Sequence, residues 1–518
     1  MKELFIRKPM KQLMAEGESS GEGGPGLKRH LTAFNLTTLG IGAIIGAGIF
    51  SLTGIAAADY AGPAIIYSFV ISGILCAFAG LCYAEMASMV PIAGSAYSYS
   101  YATLGEFVAW IIGWDLILEY AFGAITVCES WSGYALSLLQ KTLGVHFTDT
   151  MMLFTKGPWE HVTLSSGAVV HGVWNLPASL IALAVTLVLI KGIKESATIN
   201  NVIVVTKVAI VVLVIILGWG VISMHNWHVN PTATGLMALI PPPQHVMREH
   251  HMMTVFGLPG VLTGAAVVFF AYIGFDAVST AAQETRNPQR DLPIGILASL
   301  VICTVLYILM AAVMTGVVHY TKLGVADPVA VAIDKIIQLR HWPLAAKLPL
   351  GFGVKFGALL GLTSVVLVLM LGQTRIIYTM ARDGLLPWFH RVHPKYQTPA
   401  IATIVTGVFV MLLAGVMPLS LVGELVSIGT LLAFSLVCIG VIVLRRIEPN
   451  EKRPFRVPFY QVIAPLGVIS CIWVMTGLPL DTWIRLIVWL IIGLVIYFTY
   501  SIKHSRLRNG NANHNEHS

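Results

Sequence analysis

The sequence predicts an all-α membrane protein of twelve transmembrane helices, with spans 1–5 and 6–10 as an inverted repeat and two helices added. Three observations predict it. Of 518 residues, 56% are hydrophobic and only 11% charged, against roughly 25% charged in an ordinary soluble domain. Runs such as "NNVIVVTKVAIVVLVIILGWGVISM" and "TWIRLIVWLIIGLVIYFTYSI" exceed the roughly 20 residues that cross a bilayer. Two apolar segments, five spans apart, are both interrupted: "IGAIIGAGIF" in span 1 and "FFAYIGFDAVST" in span 6.

The spans fall near 33–57, 63–90, 105–136, 175–191, 198–223, 256–283, 293–318, 353–381, 398–416, 420–444, 457–478 and 481–502. Residues 1–32 form an N-terminal segment, 33–223 the first five-helix repeat, 224–255 an external loop and 256–444 the second repeat. Residues 445–502 hold spans 11 and 12, and 503–518 read as a disordered cytoplasmic tail. "MKELFIRKPMKQLMAE" has no continuous apolar stretch of the kind a cleavable signal needs. It reads as a cytoplasmic, interfacial amphipathic helix. "IPPPQHVMREHHMM" reads as a loop, because Pro241 to Pro243 forbid a helix.

Charge sets the orientation. Lys and Arg number 21 in the segments assigned to the cytoplasm and 7 in the external loops. That asymmetry puts both termini inside a multi-pass protein of the cytoplasmic membrane. The net charge of +7 is therefore a matter of membrane lipid and orientation, not of nucleic acid. Cys76, Cys82, Cys128, Cys303, Cys438 and Cys471 all fall inside spans, where each reads as a small buried hydrophobe. His250 and His251 have no carboxylate or Cys at ligand spacing, so no metal site is expected.

Glycine inside a helix costs about 1 kcal/mol relative to alanine, yet "LGIGAIIGAGIFSLTG" holds five glycines. Irregular backbone at membrane depth is tolerated only where it lines a cavity or is buried in protein. Gly46, Ala47 and Gly48 lie about 20 Å along span 1, near mid-bilayer. If the helix unwinds there, the outer half offers free N–H groups and a positive dipole end for an anion. The inner half offers free carbonyls for a cation. Together they have the shape of an α-amino acid. Gly42 and Gly46 as a GxxxG packing pair are the plain alternative. The matching break in span 6 favours the site, since paired breaks mark substrate sites in transporters built from inverted repeats.

Ionisable residues inside spans are functional candidates. Span 3 carries Asp115, Glu119 and Glu129, and the first two share a helix face. Lys207 stands in "VIVVTKVAIVV" and Asp276 follows the break in span 6. A buried amine stays charged only against carbonyls or a carboxylate. If its surroundings alternate, Lys207 gains and loses a proton in each cycle, which is a proton-coupling device; a fixed structural pair is the alternative. Glu119 is open between a role at the substrate and structural polar glue. Glu85 reads as structural, and Arg375, at the inner end of span 8, as an anchor to the interface or to a cytoplasmic gate.

"IGAIIGAGIF", "GWDLILEY", "FFAYIGFDAVSTAAQETRNPQRDLP" and "GQTRIIYTMARDGLLP" together resemble the amino acid–polyamine–organocation superfamily, and more narrowly bacterial members of the cationic amino acid transporter family. The resemblance implies a LeuT-like fold and amino acid transport, as proton symport or exchange. It implies that the substrate carboxylate meets the N–H groups of Ala47, Gly48 and Ile49, beside Gly46. The ammonium would meet carbonyls of Ile44, Phe270, Ala271 and Ile273. Lys207 matches the span 5 lysine of proton-coupled relatives, and Glu119 a span 3 acid near the pocket. Ala47 stands where many relatives carry Thr or Ser, so one hydroxyl contact is lost. Leu369 and Met370 of span 8 are expected to line the side-chain pocket and favour small neutral substrates.

The expected function is proton-coupled uptake of small neutral or cationic L-amino acids by alternating access. No cofactor beyond the proton gradient is expected, and a small single-span accessory subunit stays open as a partner. An exchanger without proton coupling and a non-transporting receptor are the alternatives. No zincin, nucleophile-elbow or Walker A motif appears in the sequence, so an enzyme is not expected.

Overall fold

A computed structural model describes residues 2–9, 31–90, 95–192, 197–248, 251–282, 285–342, 344–389, 391–396 and 398–509. Among these, eight helices are long and apolar enough to cross a membrane, the longest being Gly48–Met89 and Glu106–Thr142. Four shorter apolar helices, Ala33–Ile44, Leu176–Lys191, Ala400–Ala414 and Tyr460–Met475, occupy the places of predicted spans 1, 4, 9 and 11. The first is short because it stops at the predicted break.

The long helices pair in a regular way. Glu106–Ser137 lies along Leu344–Arg382, Ile65–Met89 along Pro288–Val317, and Leu176–Lys191 along Ala400–Ala414. Spans 2, 3 and 4 thus each pack on the span five places later. Small residues make these approaches close: a Cβ on Gly407 would meet the Thr186 hydroxyl. Packing of this kind drives helix association where lipid is as apolar as the helices themselves.

Outside the spans the structure adds detail. Residues Gln244–Arg248 and His251–Val255 form an antiparallel hairpin where the sequence suggests a loop, with Val246 opposite Met253. A second hairpin joins His161–Thr163 to Val169–His171. A helix at Ser95–Thr103 fills the gap between predicted spans 2 and 3. Of the expected N-terminal amphipathic helix, the described part is one short turn, Lys2–Phe5. Lys8 then runs on to pair with Asp383 at 2.9 Å, while the Glu106 N–H donates to the Ile6 carbonyl. These tertiary partners outcompete a local helix. Residues 10–30 and 510–518 lie outside the described part, as does His250. Arg508, which the sequence assigns to the disordered tail, is held by Glu106 Oε1 at 2.6 Å.

Candidate functional site

Span 1 breaks where the glycines cluster. The helix ends at Ile44, and Ile45 leaves helical geometry at φ −72° and ψ 94°. Helical winding resumes through Gly48–Leu52 and Thr53–Ala56. Span 6 breaks in a matching place. Gly257–Val268 tightens into a 3₁₀ turn at Phe269–Tyr272, Ile273 turns to ψ 137°, and Gly274 takes φ 112°. That φ strains any residue with a side chain, so glycine is required there. A short helix, Ala277–Thr280, continues beyond.

The two breaks lie against each other. A Cβ on Gly48 would fall 2.2 Å from the Ala271 Cα, and one on Gly274 would fall 2.8 Å from the Ala43 carbonyl carbon. Only glycine permits that approach. Tyr307, on Pro288–Val317, points its hydroxyl between them, 2.8 Å from the Ile44 carbonyl oxygen and 2.9 Å from that of Ala271. One phenol proton serves two acceptors, and each carbonyl oxygen has a second lone pair. Both carbonyls therefore retain capacity for a further donor, such as an ammonium. On the other side of the break, the first N–H groups of the outer half-helix have no acceptor within it. One interruption thus presents acceptors and donors a few residues apart. All the predicted contact residues, Ile44, Gly46, Ala47, Gly48, Ile49, Phe270, Ala271 and Ile273, are buried.

The structure brings some expected residues to this point and places others beside it. Lys207 is fully buried and donates to the Gly42 carbonyl oxygen at 2.7 Å, in the last turn of the inner half-helix. It makes no ion pair among the described residues. Its stem lies against Gly361, where a Cβ would meet Lys207 Cγ at 3.0 Å. Glu119 is buried in a separate cluster with Asp276 and Asp115 as charged neighbours. Neither Glu119 oxygen has a hydrogen-bond partner among the described residues. Tyr120 next to it donates to Asp276 Oδ2 at 2.5 Å. Of span 8, Met370 is buried, Leu369 faces Gly123, and Val365 is the side chain against Gly46.

The site is sealed on the side of the outer half-helix. Ser51 donates to the Ala326 carbonyl at 2.6 Å and Tyr134 to the Phe50 carbonyl at 2.6 Å. Sequence reasoning missed Tyr307, Val365 and this seal. The available signal for Tyr307 was a hydroxyl stranded in "CTVLYILM", since a buried Tyr hydroxyl needs a partner. Glu85 is structural: it takes two bonds from Arg445, at 2.8 and 2.6 Å, and one from the Val457 N–H.

Comparison with known proteins agrees with this architecture. Residues 31–499 match the amino acid permease family model. The chain is similar to the methylthioribose transporter of Bacillus subtilis, 42% identical over 98% of this chain and 100% of that one. It is 44% identical to the branched-chain amino acid permease BcaP of the same organism, over 97% of this chain and 99% of that one. Vacuolar cationic amino acid transporter 4 of Arabidopsis thaliana is 37% identical over 82% of this chain and 64% of its own length.

Proposed function

The chain belongs to the amino acid permease family, and we propose that it is a secondary active transporter that takes up small neutral or cationic L-amino acids by alternating access, coupled to protons through Lys207. As a permease it is a multi-pass membrane protein and not an enzyme. The reading has twelve spans in a bacterial plasma membrane, both termini inside, and a LeuT-like inverted repeat. The packing of spans 2, 3 and 4 on spans 7, 8 and 9 supports the repeat.

The observation that carries the proposal is the pair of facing helix breaks tied through Tyr307. The substrate ammonium binds the Ile44 and Ala271 carbonyls and displaces part of the Tyr307 bond. The carboxylate binds the N–H groups of Ala47, Gly48 and Ile49. Phe270, Ile273, Val365 and Met370 enclose the side chain. Their apolar character and the likeness to a branched-chain permease favour valine, leucine and isoleucine among the neutral substrates. Lys207 couples the proton because its partner, the Gly42 carbonyl, belongs to the same broken helix that carries the substrate. When that helix moves, the amine loses its acceptor and releases its proton.

The test is uptake of a labelled amino acid into proteoliposomes, competed by all twenty amino acids and by methylthioribose, at two external pH values. The proposal predicts competition by a subset of apolar amino acids and faster accumulation at the lower external pH. Counterflow without pH dependence would show an exchanger. Competition by methylthioribose alone would show a sugar thioether as the substrate.

A further inference from the structure

The short hairpin of His161–Thr163 and Val169–His171, between spans 3 and 4, takes no part in the central site. Its register sets His161 directly opposite His171. The Gly172 N–H donates to the Glu160 carbonyl at 2.9 Å, and the Leu164 N–H to the Ala168 carbonyl at 2.9 Å. Bonded and non-bonded pairs alternate along an antiparallel ladder, so His161 and His171 form a non-bonded pair. Such pairs hold their Cα atoms about 4.5 Å apart and their side chains closest together. The two imidazole rings meet with centres 4.5 Å apart and planes at 41°. Both histidines are exposed, while Val162 between the strands' outer faces is buried on the other side.

One ring is already oriented as a ligand. His171 Nδ1 is 3.1 Å from the Pro158 carbonyl oxygen. A carbonyl only accepts, so Nδ1 carries the hydrogen and Nε2 keeps its lone pair for another partner. Histidines that bind metals are commonly held this way, with the second nitrogen donating to a carbonyl or carboxylate. Two imidazole nitrogens on one zinc each lie about 2.0 Å from it, and so roughly 3.3 Å from one another. Rings with centres 4.5 Å apart reach that spacing by rotation about χ2. Among the described residues no group of three His, Cys, Asp or Glu side chains is placed to hold a metal, so water fills the remaining positions. The site is open, and it binds more weakly than the closed four-ligand sites of structural zinc.

We propose that His161 and His171 form a surface site for a divalent transition metal that favours imidazole, zinc or copper, and that the bound ion clips the two strands together. Imidazole suits these ions, whereas magnesium and calcium take oxygen ligands. The residues flanking the hairpin rest on the turn after span 9. A Cβ on Gly157 would fall 2.6 Å from the Val416 carbonyl oxygen, and the Asn175 N–H donates to the Gly415 carbonyl at 2.8 Å. A metal clip therefore stiffens the segment that packs on that turn. No substrate and no transport step enters this inference, so it stands apart from the transporter reading.

The experiment is thermal unfolding of the full chain in detergent as Zn²⁺ is added, with bound zinc counted by equilibrium dialysis. The buffer is slightly alkaline, where an ordinary imidazole is neutral and free to ligate. Wild-type Tm should rise with Zn²⁺, because a ligand of the folded state stabilises it. His161→Ala and His171→Ala should each lower affinity at the site at least about tenfold, the loss that even an outer-shell partner of a ligand causes. Each should abolish the rise in Tm and bind one zinc fewer per chain. Their metal-free Tm should match wild type, since both side chains are exposed. His171→Gln keeps a polar side chain without the ligating nitrogen and should behave as His171→Ala does. His225→Ala removes an exposed histidine from another segment and should keep the rise. Mg²⁺ should move Tm in none of the proteins. No rise in wild type, an equal rise in the His161 or His171 variants, or an equal rise with Mg²⁺ overturns the site.

Discussion

Lys355 and Lys207 are both buried, and they are held in opposite ways. Lys355, near the N-terminal end of span 8, is 1% exposed and pairs with Asp334 Oδ2 at 2.9 Å, with Thr142 at 3.2 Å. Lys207, in span 5, is 0% exposed and among the described residues bonds the Gly42 carbonyl alone. A carboxylate partner supplies a full opposite charge and fixes a lysine as a cation. A single carbonyl accepts a bond from the amine in either protonation state, and here that carbonyl ends a half-helix whose continuation is broken. The first arrangement staples span 8 to the helix Pro328–Leu339. The second is the arrangement on which the proposed proton coupling rests.

The largest effect should come from Lys207→Met. That variant should lose accumulation against a gradient while still exchanging labelled for unlabelled substrate; wild-type accumulation in proteoliposomes would break the distinction between the two lysines. Next is Asp334→Ala, which leaves Lys355 buried without its counter-charge and should cost about 3–5 kcal/mol of stability. Thermal unfolding in detergent measures it, and the pH dependence of residual transport should stay as in wild type. The converse, Lys355→Met, leaves a half-exposed Asp334 that water can solvate, so its cost should be smaller, about 1 kcal/mol. Equal losses in the two variants would show that burial of Lys355 is not what makes the pair matter. The smallest effect belongs to Gly361→Ala. Its methyl would press on the flexible Lys207 stem at about 3.0 Å, which should slow transport without unfolding the protein.

These two sites also show what a sequence carries. The break in span 1 was readable because five glycines in sixteen residues oppose the helix that the membrane demands. The break in span 6 was readable from Gly274 and Asp276 in an apolar run. Lys207 stood out for the same reason: charge against an apolar background. Lys355 did not, because it lies at the end of a span, where lysines ordinarily reach the interface. Its partner, Asp334, is on a different helix. Tyr307 shows in the sequence only as a hydroxyl in an apolar run; its role lies in a distance to two carbonyls on other segments, which no sequence states. The hairpin at Gln244–Val255 was missed because Met and His carry little strand signal, while three prolines before it excluded helix without naming an alternative. The Ser95–Thr103 helix is set by tertiary partners, among them Asp383 for Tyr97 and Glu106 for Tyr101.

The central claim is that two broken helices grip both poles of an amino acid with backbone groups. It is tested most directly by competing uptake of the preferred amino acid with its decarboxylated amine and its deaminated acid. The account predicts that neither analogue competes appreciably, because each satisfies one pole and leaves the other without its ligand. An amine or an acid that competes as well as the parent amino acid would contradict it.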